Sequence, residues 1–254
     1  VYKGGERINP NELTRQCLRW LYRLLVLLYA ESRPELGVLP VNDDAYLAGY
    51  SLDRLRELVL VDLETDQARE GSHLHESLNT LFELANAGNH QAIQGVLFSG
   101  VDADLERSEE VYLQFPGLSA GLFDTESTRL LDTVRLRNEP LQRVLKNLML
   151  AEGRTARDTA GFISYAQLGI NQLGAVYEGL MAYTGFFADQ DLFEVAKGGD
   201  PSDGTWALPV DDAEGYPDEV FVTYIDPTTG RKERIRHATG SFVFRLSGRD
   251  RQRS

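Results

Sequence analysis

Sulfur is scarce in this sequence: of 254 residues, one is cysteine (Cys17) and two are methionine. A single cysteine excludes an internal disulfide framework and fits a reducing compartment. Long apolar runs are missing as well. No stretch reaches the ~20 apolar residues that span a bilayer, and the best, Leu24 to Ala30, is short and directly preceded by Arg23. The opening residues, VYKGGERINP, hold no apolar signal core, so nothing in them predicts secretion. The expected location is cytoplasmic, with no membrane partner. Walker A and Rossmann glycine patterns are absent. Positive charge is in short supply too: 26 Lys and Arg stand against 39 Asp and Glu, a net charge of −13. That disfavours the surface as a whole as a binder of nucleic acid or anionic membrane.

The remaining composition is that of a globular protein, with 42% hydrophobic and 26% charged residues, which argues against wholesale disorder. The length allows one large domain or two small ones, with about 70–75% of the unfolded surface buried. The charge is unevenly spread. Residues 231–254 carry eight basic groups and two acids, a balance of +6, which leaves −19 for the first 230 residues. A basic end on an acidic body suits a local anionic partner, or the body itself as its electrostatic counterpart.

Asn9-Pro10-Asn11-Glu12 reads as a helix start, with Asn9 as cap, Pro10 at the first helical position and Glu12 placed for a capping box. The helix runs to about Glu31, with Leu13, Cys17, Leu18, Leu21, Leu24, Leu25 and Leu28 on its apolar stripe. A short helix is expected over about 43–48, and Ser51 caps another with Leu52, Leu55, Leu58, Val59 and Leu63 inward. A helix from Ser72 turns Leu74, Leu78, Leu81, Phe82 and Ala85 inward and ends near Gly88. Residues 89–124 read as irregular, with a short strand at 110–115. Helix resumes over about 125–151, interrupted near Pro140, and again from Tyr165 to Tyr183. Beyond Gly185 the pattern changes. Val220 to Ile225, Arg231 to Arg236 and Ser241 to Leu246 read as three strands of a small antiparallel meander. The fold class is therefore mainly α: a helical domain over 1–190, then a loop and a small C-terminal antiparallel β meander over 191–254.

Four patterns invite chemistry. Gly117-Leu-Ser119-Ala-Gly121 matches the G-x-S-x-G nucleophile elbow, but Pro116 precedes it, no helix signal follows, and His237 is the only downstream histidine. A Gly-rich connector is the better reading, and a serine hydrolase using Ser119 the weaker one. His73 and His75 are two apart on a helix and so point to different faces, which opposes a shared metal ion; exposed histidines at a helix start are expected instead. Acidic groups at Asp43-Asp44, Asp102/Asp104, Asp189/Asp191/Glu194 and Asp211-Asp212/Glu214 lack the spacing of a calcium loop and read as solvated surface. Arg15, Arg19 and Arg23 form an i, i+4, i+8 row that reads as a solvated or salt-bridged face, with phosphate tracking as the alternative.

Several stretches, taken in order, resemble the region before the catalytic domain of large bacterial DNA adenine-N6 methyltransferases. These are the type IIG restriction–modification enzymes and the methylases of the BREX and DISARM phage-defence systems. The stretches are Tyr22 to Glu31, Tyr50-Ser-Leu52, Gly121-Leu-Phe-Asp124, Ile163 to Leu168 and Leu173 to Leu180. The resemblance implies a non-catalytic helical module that braces a catalytic domain downstream in the same chain and helps to position duplex DNA. The parent enzyme would use S-adenosylmethionine and flip the target adenine. This segment itself is expected to hold no cofactor, metal or catalytic residue, since an Asn-Pro-Pro-Tyr or Phe motif is absent from it. Arg245, Arg249, Arg251 and Arg253 are the expected DNA or interdomain contacts, and Glu178 reads as a buried helix-packing or interdomain residue, with a structural hydrogen bond the better reading. The main rival is a stand-alone acidic helical interaction protein.

Overall fold

The computed structural model describes residues 2–3, 6–88, 115–151, 161–226 and 229–246. Their contacts divide the chain into two compact units, Arg19–Leu173 and a second made of Val1–Leu18 with Gly174–Ser254. Composition alone places the change of character near 190. Helical residues outnumber strand residues, and apart from a two-residue pair near the N-terminus (β1, Tyr2–Lys3; β2, Glu6–Arg7) the strands lie within 183–246. No helix among the described residues is long and apolar enough to cross a membrane.

Helix α1 (Pro10–Glu31) begins as its cap predicts, with Asn9 Oδ1 accepting from the Asn11 N–H at 2.9 Å and the Glu12 N–H at 3.3 Å. Leu24, Leu27 and Leu28 are buried along it, but Cys17 is exposed while Gln16 and Arg23 are buried. The unit Arg19–Leu173 also contains α2 (Asp44–Gly49), α3 (Leu52–Leu60), α4 (Asp66–Glu70), α5 (His73–Ala87), α6 (Arg129–Asp132) and α7 (Asn138–Met149). Its core joins α3, α5 and α7 through Leu52, Val59, Leu74, Leu78, Leu81, Leu145 and Met149. Five positions of α5 expected inward, Leu74, Leu78, Leu81, Phe82 and Ala85, are all buried. Leu58 of α3, also expected inward, is 41% exposed.

Polar side chains fix the joints between these helices. Asn138, fully buried, accepts from the Leu74 N–H at 3.2 Å and donates to the Ala68 carbonyl at 2.8 Å. Gln142 donates to the carbonyls of Leu58 and Val61, so the frayed end of α3 is closed by a side chain from α7. Pro140 does not interrupt the helix as expected. It is the third residue of α7, in the first turn, where the missing N–H has no intrahelical partner to lose. The break falls instead at 133–137. The helix expected from Tyr165 to Tyr183 is divided as well: a 3-10 turn at Tyr165–Gln167 precedes α8 (Ile170–Met181).

In the second unit, β3 (Tyr183–Phe187) pairs antiparallel with β9 (Phe242–Leu246). Strand β4 (Leu192–Val195) lies between β5 (Trp206–Pro209) and β8 (Arg236–His237), and β6 (Thr223–Ile225) pairs with β7 (Lys232–Arg234). The antiparallel hairpin expected around the Asp226–Gly230 turn is present. The simple three-strand meander is not, because the third strand turns away to β3. The reason is burial: Val243 packs with Ala188 and Leu192 in one apolar cluster, with Phe186 and Ala207 against it, whereas all of β7 is polar and exposed and offers Val243 no apolar face. The strand expected at 110–115 lies outside the described residues, except for Phe115.

Candidate functional site

The G-x-S-x-G segment is a structural clamp. The Leu118 N–H donates to Ala85 O at 2.7 Å and the Ser119 N–H to Asn86 O at 2.9 Å, so the loop satisfies carbonyls at the end of α5 that have no helical partner. Gly88 and Gly117 meet at this crossing with φ of 68° each. A Cβ on Gly117 would stand 2.6 Å from the Gly88 nitrogen, and one on Gly88 would stand 2.6 Å from the Phe115 oxygen. Ser119 has φ 45° and is exposed. The four histidines of the sequence are His73, His75, His90 and His237. Of the three described, none donates to or accepts from Ser119.

The expectation of exposed histidines is corrected for His75, which is 3% exposed and stacks against Trp20 with ring centroids 6.4 Å apart. Burial pushes its pKa down, so it is held neutral. His73 is exposed, and its Nδ1 meets Asn138 Nδ2 at 2.7 Å. Among the described residues no group of three or more His, Cys, Asp or Glu side chains is placed to hold a metal ion.

The arginine row is not one surface. Arg15 is exposed and pairs with Glu12, whereas Arg23 is 2% exposed. Its Nε donates to Leu122 O at 2.7 Å, and its Nη2 donates to Asp124 O at 2.8 Å and Ser127 Oγ at 3.0 Å. This guanidinium therefore ties α1 to the 122–127 loop. Glu31 has a matching role at the far end of the helix. Its carboxylate accepts from the Leu52 N–H at 2.8 Å, the Asp53 N–H at 3.1 Å, the Tyr46 hydroxyl at 3.2 Å and the Ser51 hydroxyl, and so caps α3 from outside. Burial beside this carboxylate pushes the Tyr46 pKa up.

The expected acidic surface is partly structural. Asp43 caps α2. Asp191 accepts from the backbone and hydroxyl of Thr239 at 2.8 Å each and pairs with Arg236. Those bonds hold its pKa at about 2. Glu194 lies 3.3 Å from His237. Asp102 and Asp104 lie outside the described residues.

Two surfaces stand out by chemistry. The first is an open cleft of 730 Å³ on the second unit, lined by Phe193, Tyr224, Glu233, Arg234, Ile235 and Arg236. The Arg234 guanidinium lies 3.8 Å from the centroid of Phe221 and pairs with Asp218. Tyr224 is 45% exposed, and its hydroxyl donates to Glu233 at 3.3 Å. Arg231 and Lys232, at the turn of the same hairpin, are exposed. The cleft thus offers the exposed Tyr224 ring for stacking, while Arg234 already lies over Phe193 and Phe221. The second surface is α8 itself, where Leu173 is the one buried residue while Ile170, Val176, Tyr177 and Met181 are 72, 39, 37 and 38% exposed. Glu178 is exposed too, which corrects the reading of it as buried in helix packing and leaves the interdomain reading.

Of the four basic residues expected at the C-terminal end, Arg245 is half-buried on β9 and donates through Nη1 to the Thr205 carbonyl. Arg249, Arg251 and Arg253 lie outside the described residues. The cleft escaped sequence reasoning because β4 meets in it the later β6–β7 hairpin and β8. The alternation in Val220 to Ile225 marks a strand but not its neighbours. Comparison with protein-family models, with curated proteins and with solved structures finds no match to this chain.

Proposed function

We propose that this chain is a non-catalytic module of a DNA adenine-N6 methyltransferase, bracing the catalytic domain and helping to position duplex DNA. The observation that carries the reading is α8. The second half of the stretch with the strongest resemblance to that family, Ile163 to Leu168 followed by Leu173 to Leu180, lies on a helix whose apolar side chains Val176 and Tyr177 are exposed. A helix apolar around most of its circumference is built to be covered. The exposed cations Arg231 and Lys232, on the hairpin that lines part of the cleft, add a place where a phosphate backbone would sit despite the acidic body. In this division of labour the downstream domain holds S-adenosylmethionine and the catalytic residues.

The test is calorimetric titration of residues 1–254 with S-adenosylmethionine, alongside an adenine-methylation assay on duplex DNA. The expected result is no saturable binding and no methylation. Saturable binding of the cofactor to this chain refutes the division of labour.

A further inference from the structure

The unit Arg19–Leu173 contains a small pocket that no part of the proposed function uses. Its volume is 130 Å³, and Arg23, Asn79, Phe82, Glu83, Phe123 and Asp132 line it. At that size it holds a few water molecules or one very small ligand. Its walls are Phe82 and Phe123, whose centroids are 6.1 Å apart. The Arg23 guanidinium carbon lies 5.4 Å from the first ring centroid and 6.0 Å from the second.

The polar groups around it carry both signs. The Nε and Nη2 of Arg23 are committed to Leu122, Asp124 and Ser127, and its Nη1 has no acceptor among the described residues. No described carboxylate comes within 4.0 Å of this buried guanidinium, although Asp132 and Asp124 act on its charge from farther away. The other polar groups are acceptors. Asn79 Oδ1 is buried without a hydrogen-bond partner, while its Nδ2 is occupied by His75 Nε2 at 3.1 Å. Asp132 is steadied by the Thr128 hydroxyl at 2.9 Å, and Glu83 is exposed at the rim.

A simple anion in this pocket would gain Arg23 but meet two carboxylates. A simple cation would gain the carboxylates but meet a buried guanidinium. We infer that the pocket binds a small zwitterion, an α-amino acid of the size of glycine or alanine. Its carboxylate accepts from Arg23 Nη1, its ammonium donates to Asn79 Oδ1 and Asp132, and its carbon atoms lie between Phe82 and Phe123. The carboxylate gives Arg23 Nη1 the acceptor it lacks among the described residues, and the ammonium gives the buried amide oxygen a partner.

The experiment is calorimetry on the full chain with glycine, L-alanine, acetate and methylammonium as separate titrants. It is repeated on Asp132→Asn, Asn79→Leu and the distant surface control Glu139→Gln, each checked by thermal melt. Glycine or alanine is expected to bind saturably, with acetate and methylammonium each weaker by about tenfold or more, the effect of losing one charge-assisted hydrogen bond. Asp132→Asn and Asn79→Leu are expected to weaken the amino acid by a similar factor, and Glu139→Gln to leave it unchanged. No saturable binding by either amino acid overturns the inference. So does acetate binding as tightly as glycine, which makes the site an anion site. Amino-acid binding that both folded pocket variants leave untouched also overturns it, by placing the ligand elsewhere. None of these outcomes depends on whether the parent is a methyltransferase.

Discussion

Replacing Gly117 by alanine separates the two readings of the G-x-S-x-G segment. At φ 68° an L-residue sits in a sparsely populated region at a cost of about 1–3 kcal/mol. The added Cβ would also stand 2.6 Å from Gly88 N and 2.8 Å from Ala87 C. Both obstacles are backbone and cannot rotate away, so the loop must lift off the end of α5. Lifting strains the bonds from Leu118 N to Ala85 O and from Ser119 N to Asn86 O, each worth about 1 kcal/mol. The expected loss is about 3–5 kcal/mol for Gly117→Ala. Ser119→Gly should go the other way. It relieves left-handed strain of about 1–2 kcal/mol against an entropic cost of about 0.5–1 kcal/mol, a net gain of about 0.5–1 kcal/mol. Urea unfolding followed by circular dichroism at unchanged m-value reads both. Gly117→Ala within about 0.5 kcal/mol of the parent refutes the clamp, and covalent labelling of Ser119 by an active-site serine reagent restores the nucleophile.

Three further predictions rest on single contacts. Glu31→Gln replaces one carboxylate oxygen by an NH₂ facing the donors Leu52 N, Asp53 N and Tyr46 Oη, and should cost about 1–3 kcal/mol in the same urea assay; a neutral outcome removes Glu31 as the cap of α3. Because burial lowers the pKa of His75 in the fold, the unfolded chain binds the extra proton, so stability is full above about pH 6.5 and falls as pH drops below it. The slope there is at most about 1.4 kcal/mol per pH unit, and His75→Gln should abolish it; equal slopes in parent and variant contradict the buried neutral imidazole. Changing Ile170, Val176 and Met181 together to serine should alter stability by no more than about 0.5 kcal/mol per site while reducing self-association in sedimentation. A loss well above that per site would mean that these side chains pack in the isolated chain.

Much of the helical unit was legible in the sequence because its elements follow local rules. The α5 stripe, the Ser51 cap, whose hydroxyl accepts from Asp53 N at 3.0 Å, and the Gly88 terminus need only period and capping chemistry. What escaped depends on distant partners. Arg23 continues a polar row on α1, and nothing within a few residues of it announces that Leu122 O and Asp124 O stand ready to accept its protons. His75 reads as surface until Trp20 is placed beside it. The strand at 242–246 was visible by composition, but its pairing with 183–187 was not, since a strand's pattern fixes its faces and not its neighbour. The small pocket draws on α1, α5, α6 and the loop before α6, a convergence with no local sequence signature.

The central claim, that this chain is one module of a larger adenine methyltransferase, is tested most directly by reading the encoding gene past the codon for Ser254. The account predicts continuation into a Tyr-Tyr-Thr-Pro-like segment and then an Asn-Pro-Pro-Tyr or Phe motif. A stop codon directly after Ser254 contradicts it and moves the acidic interaction protein ahead.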